Sequence, residues 1–243
     1  MKSKILLSII VVFLAFVAEA QQQGVITYES KLNMHRRIPP ERAEMKSMIP
    51  EFRVTTEQLF FNEKESQYKT LVEDEEQDVN ASQGGARMRF RMPKSDIYMN
   101  QETQMIMAKA EFSGKEYLIV DSIKIAPWKM GTETREIKGY VCQMAYYDDE
   151  ETKTAVTAWF TMQIQPFLGP ERYNTLPGTV LALDINNGER VFVVNKIEMR
   201  ELKKNELKAP TTGEKITQAQ YRAMVQERMK QMGGQGGQMI IRN

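Results

Sequence analysis

Through most of the chain apolar residues recur at every second position, and helical spacing enters briefly at 41–49 and again near the C-terminal end. Over residues 24–35, Ile26, Tyr28, Leu32 and Met34 share one face, with Thr27, Glu29, Lys31 and Asn33 opposite. A period of two over that length predicts a half-buried strand. Further strands are predicted at 52–62, 66–73, 97–101, 105–112, 115–121, 139–145, 152–162, 179–185 and 190–199. Ser113-Gly114 and Asn187-Gly188 are hairpin signals, because these dipeptides tolerate the positive φ that tight turns require. Strands joined by turns rather than helices predict an antiparallel sheet. The 152–162 strand carries Phe160 on one face and Trp159 on the other, so it is expected to be covered on both sides or to line a cleft.

Helical and irregular segments punctuate this pattern. A short helix is expected at 41–49, with Ala43, Met45 and Met48 inward. Residues 73–91 pass from the acidic run Glu73-Asp74-Glu75-Glu76 through Ser82-Gln83-Gly84-Gly85 to Arg87, Arg89 and Arg91, and read as a loop of solvated charge. Residues 203–216 are polar, contain Pro210 and read as a linker. Thr217 and Gln220 then form a capping-box pattern. Tyr221, Met224, Val225, Met229 and Met232 follow at helical spacing. The expected fold is mainly β (α+β), an open antiparallel sheet or half-barrel over 21–202 with one or two short helices. A linker, a C-terminal helix over 217–232 and a glycine-rich flexible tail over 233–243 complete it.

Residues 1–20 stand apart. Lys2 and Lys4 precede an apolar run too short to span a membrane comfortably, and Ala18-Glu19-Ala20 has the small-x-small form of a cleavage site. They read as a secretory signal, which puts the mature chain in the periplasm. The 33 basic and 32 acidic residues become 31 of each once Lys2, Lys4 and Glu19 leave. That balance gives no electrostatic case for nucleic acid or an anionic membrane. Cys142 is the single cysteine, so an ordinary core rather than disulfides must hold the fold. Neither Cys142 nor the single histidine, His35, has a motif around it that would make it a nucleophile or general base. Of the 17 methionines the best local clusters are Met105 with Met107 on one strand face and Met224 with Met229 at helical spacing, and core packing explains both without a copper site. Neither a metal nor a cofactor is expected.

The pieces Gly139-Tyr140-Val141-Cys142, Thr157-Ala158-Trp159-Phe160-Thr161, Gly169-Pro170 and Leu176-Pro177-Gly178 resemble the GLPGLI family of Gram-negative envelope proteins. The signal, the helix before a glycine-rich tail and the terminal Met239-Ile240-Ile241-Arg242 are similar to what many members carry. The naming motif departs from the family here, since Thr175 and Thr179 replace its first glycine and second leucine, and Val180 its isoleucine. The resemblance implies association with TonB-dependent outer-membrane receptors and no known reaction. The strand pattern also resembles the half-barrel of periplasmic lipoprotein carriers, as a likeness of fold.

These readings give an expected function, a periplasmic non-catalytic accessory protein that binds an outer-membrane β-barrel or TonB-dependent receptor complex. The candidate surfaces are the turn bearing Phe167, Leu168, Tyr173, Leu176, Pro177 and Gly178, and the tail bearing Met239, Ile240 and Ile241. A tethered β-capable end suits strand addition to an exposed sheet edge. Against the turn stands the expectation that its apolar side chains fold back and cap the sheet. The alternative is a carrier of an apolar ligand or lipid, with Trp128, Trp159 and Phe160 lining a cavity in the curved sheet.

Overall fold

The computed structural model describes residues 23–71, 95–150 and 152–233. The signal segment 1–20, the charged loop 73–91 and the tail residues Met239, Ile240 and Ile241 lie outside the described residues, as do the side chains of Met229 and Met232.

The strands are β1 (Gly24–Asn33), β2 (Phe52–Phe61), β3 (Glu65–Thr70), β4 (Asp96–Asn100), β5 (Met105–Phe112) and β6 (Lys115–Ser122). They continue with β7 (Lys129–Ile137), β8 (Tyr140–Asp149), β9 (Thr154–Thr161), β10 (Thr179–Ile185), β11 (Arg190–Met199) and β12 (Glu214–Ile216), and α1 spans Gln218–Gly233. The twelve described strands form one sheet in the order β12-β6-β5-β4-β3-β2-β1-β11-β10-β9-β8-β7, open rather than closed into a barrel. β1 lies in the middle. One meander leads away from it through β2 to β6, and a second returns to it from β7 through β11.

The join between the meanders sets the curvature. β6 and β7 are ten strand spacings apart in the sheet order, which would be about 48 Å if the sheet were flat. Residues 123–128 alone connect them, and even fully extended they reach only about 24 Å. The sheet must therefore curl, and its concave face collects the core. The strand register places Ile26, Leu59, Tyr68 and Ile97 side by side on that face. Phe192, Leu183, Ala158 and Ala145 form a corresponding row across the other half. Ile26, Leu59, Tyr68, Phe192, Leu183, Ala158 and Ala145 are all at most 2% exposed.

The turns follow the chemistry of their residues. Ser113 and Gly114 have φ of 52° and 77°, and Lys138 and Gly139 have φ of 52° and 82°, both within the left-handed region that two-residue hairpins need. The 41–49 helix appears as a 3-10 helix, Pro40–Ser47, with no buried residue. Ala43 and Met48 are exposed there, contrary to the inward placement their spacing suggested. α1 starts as predicted. The Gln220 backbone N–H donates to Thr217 Oγ1 (3.2 Å) while the Thr217 N–H donates to Gln220 Oε1 (2.9 Å).

Residues 200–213, read as linker over 203–216, form a strap along the convex face. Leu202 N–H donates to Gln23 Oε1 (3.5 Å), Lys69 Nζ to Glu206 O (3.0 Å) and Lys208 N–H to Gln67 Oε1 (2.8 Å). Arg200 grips Glu206 with both terminal nitrogens (2.8 and 2.7 Å), and that bonding holds the Glu206 carboxyl down at about 2. The strap delivers β12 to the edge of β6. α1 then turns onto the concave side, where Tyr221 meets the rings of Phe112 and Tyr117 edge-on.

Candidate functional site

The segment between β9 and β10, residues 162–178, leaves and returns at one point, because Thr161 and Thr179 are register partners. It folds back over the concave face. Ile164, Leu168 and Leu176 are 7%, 0% and 0% exposed, and burying side chains of this size stabilises by roughly 2 kcal/mol each. The loop carries its own backbone bonds, Phe167 N–H to Leu176 O (3.1 Å) and Val180 N–H to Leu168 O (2.8 Å). Gly178 sits so close to β9 that a Cβ there would stand 2.2 Å from Thr161 O. Thr175, at the place of the missing motif glycine, has a task of its own. Its Oγ1 accepts from the Ala126 N–H (3.1 Å) and from Trp128 Nε1 (3.2 Å), tying the loop to the 123–128 crossover.

A charge cluster, buried at Glu57 and Tyr68 and half-buried at Arg190 and Glu171, fixes the loop from beneath. Arg190 on β11 donates to both carboxylate oxygens of Glu171 in the loop, at 3.1 and 2.7 Å. Glu57 on β2 lies 4.0 Å from the same guanidinium and accepts a hydrogen bond from the Tyr68 hydroxyl on β3. Thr55 Oγ1 donates to Glu57 at 3.3 Å. The Tyr28 hydroxyl, nearby on β1, donates to Val180 O at 2.7 Å. Burial pushes the Glu57 carboxyl above its ordinary value, and the Tyr68 bond and Arg190 only partly offset that. Burial would pull Arg190 down, but Glu171 and Glu57 more than compensate and leave it raised. Burial, with Glu171 and Asp149 adding to it, pushes the Tyr173 phenol up to about 12. The cluster is largely self-neutralising: two carboxylates face one guanidinium, and a tyrosine hydroxyl fills one of the carboxylate positions.

The residues singled out by sequence do not form one surface. Leu168, Leu176 and Gly178 are buried and Tyr173 is half-buried, so the expectation of a capping loop describes them. Phe167, at 36% exposure, and Pro177 reach solvent. Trp128, Trp159 and Phe160 do not line a common cavity. Phe160 is 2% exposed in the core. Trp159, one position along β9, points to the opposite face, where the Arg135 guanidinium lies 4.1 Å above its ring. Trp128 meets Tyr147 edge-on at 4.6 Å beside the loop. A cavity of about 40 Å³ opens beside the loop between Met99, Ile123, Ile125, Phe167 and Thr175. That is room for a water or two.

His35 Nε2 lies 2.7 Å from Ile49 O, a local structural bond. Cys142 is fully buried, and burial pushes its thiol up, away from the reactive thiolate. Among the described residues no group of three or more His, Cys, Asp or Glu is placed to hold a metal ion, and no helix is long and apolar enough to cross a membrane.

A family model described as "Protein of unknown function (Porph_ging)" matches residues 147–182, which run from β8 through β9 and the loop into β10. No curated protein matches the chain. Two solved structures of PNGF-II, in the P21 and C2 space groups, are similar in fold, each with a TM-score of 0.56. Their identities are 16% and 15%, over 86% and 85% of this chain. The chain spans about a third of the length of those proteins, 34% and 33%.

Three substitutions test how the loop is held. Gly178→Ala forces a Cβ against Thr161 O and is expected to lower stability by about 1–3 kcal/mol in urea denaturation. Glu171→Ala leaves the half-buried Arg190 with a single distant carboxylate, and a loss of about 2 kcal/mol is expected by the same measurement. Glu57 acts through pH. Between the ordinary carboxylate value and its raised folded value, the folded chain keeps a proton that the unfolded chain has released, so stability falls as pH climbs through that window. Glu57→Gln should flatten that slope when urea midpoints are compared between about pH 4 and about pH 8.

Proposed function

We propose that this chain is an exported, non-catalytic accessory protein of the cell envelope, which works by presenting a folded surface to an outer-membrane protein of the TonB-dependent receptor class. The carrying observation is that the concave face is occupied by the protein's own loop. Leu168 and Leu176 sit where an apolar ligand would have to lie, and Glu171 is fastened to Arg190. Displacing the loop would expose at least these two leucines, at roughly 2 kcal/mol each, besides breaking the ion pair. A carrier of lipid or another apolar ligand is therefore the weaker reading.

The charged residues give no support to a reaction either. Glu57, Tyr68, Glu171 and Arg190 have one another as partners beneath a closed loop. The fold likeness to PNGF-II, at 16% identity, brings no activity with it. The finer assignment to the GLPGLI family, the periplasmic location and the partner class belong to this proposal and rest on the sequence motifs. The unknown-function family match covers the same loop.

Affinity purification of the full chain from its native envelope provides the test. An outer-membrane β-barrel protein should copurify with the full chain and be lost on deletion of residues 235–243. Equal recovery after that deletion removes the tail from the interface, and recovery of no envelope protein ends the reading. Native mass spectrometry of the same sample reports the rival, since a carrier would retain a stoichiometric lipid.

A further inference from the structure

The two ends of the sheet treat their free backbone edges differently. At β7, residues 131–133 bulge opposite the single residue Met144, and Lys129, Glu133, Arg135 and Glu136 all stand exposed. Bulges and charges of this kind keep an edge from pairing with a stranger. β6 has no such bulge. It pairs with β5 in unbroken register from Lys115 to Ser122, and its centre, Tyr117-Leu118-Ile119-Val120, is strongly β-forming. Left open, this edge would be adhesive.

What lies on it is β12, three residues in the sheet's one parallel strand pair among the described strands. Glu214 and Lys215 are exposed and Ile216 is half-buried, so β12 contributes little apolar burial. Its approach depends on Gly213, whose φ is +112° and whose added Cβ would stand 2.8 Å from Leu118 N. A solvent-exposed ion pair, Lys115–Glu214, joins the side chains across the seam, and solvent screening leaves such a pair weak. α1 follows β12 directly, so drawing Tyr221 away from Phe112 and Tyr117 draws β12 with it.

We propose that β12 is a removable mask over a self-complementary edge, and that lifting it lets two copies of this chain join β6 to β6, antiparallel. A two-fold axis through Leu118 places Lys115 of each copy opposite Asp121 of the other, and Tyr117 opposite Ile119. Opposed residues in an antiparallel pair share a face, so both ion pairs form at contact distance. Moving the axis by one residue, to Tyr117 or Ile119, sets Lys115 against Ile119 or Ile123 and loses both. Charge thus selects one register. The resulting interface is isologous and closes at two copies.

Two independent variants lift the mask in the full chain. Gly213→Val has no room for its side chain against β6, and Lys215→Pro removes a donor from β12. Hydrogen exchange at the β6 amides reports unmasking, and light scattering reports mass. The wild type should run at the mass of one chain, and both variants at twice that mass. Adding Asp121→Lys should return them to the single mass, and Lys115→Asp together with Asp121→Lys should restore the doubled one. The proposal fails if the β6 amides exchange freely while the mass stays single. It fails equally if those amides stay protected in both variants, or if a larger mass ignores the charge changes. Should one variant not fold, as judged by circular dichroism, the other decides.

Discussion

Residues 123–128 must carry the chain from one side of an eleven-strand meander pair to the other, and they are too few to cross a flat sheet. Strand spacing and chain reach together oblige the sheet to curl. A curled sheet has an inside, and an inside must be filled at close packing or remain a void. The 162–178 loop meets that need with Ile164, Leu168 and Leu176, and Thr175 fastens it to the very crossover that imposed the curl. Curvature and the loop that fills it are thus consequences of one short connection.

Strands with a solvated face were legible, because alternation is a direct image of a sheet with one face in water. The turns at Ser113-Gly114 and Asn187-Gly188 were legible for the same kind of reason, since backbone conformation limits which residues can stand there. β7 was not, because Lys129–Ile137 is exposed almost throughout and carries no apolar rhythm. The strap was missed because it meets the sheet through backbone and polar contacts, such as Lys208 N–H to Gln67, that leave no hydrophobic pattern.

The charge cluster was hidden in a different way. Its members come from positions 57, 68, 171 and 190, and only the folded sheet brings them together. A signal existed all the same. Glu57 occupies the inward parity of Leu59 and Phe61, and Arg190 that of Phe192 and Val194. A charge on the core side of an otherwise regular strand requires a partner. The candidate loop was found with two orientations open, and the one in which its apolar side chains fold back over the sheet describes Leu168 and Leu176. With its leucines inside, the loop is the sheet's filling, while Phe167 and Pro177 reach solvent.

β1 also bears on how the chain matures. One of its edges meets β2, which follows within a few tens of residues, whereas the other must wait for β11 at Arg190–Met199. During N-to-C delivery the first meander is complete while its central strand still shows a bare ladder. Pairing across so much sequence is intrinsically slow, and unpaired ladders invite aggregation. The interval between the arrival of β1 and that of β11 is when this chain most needs a holding chaperone.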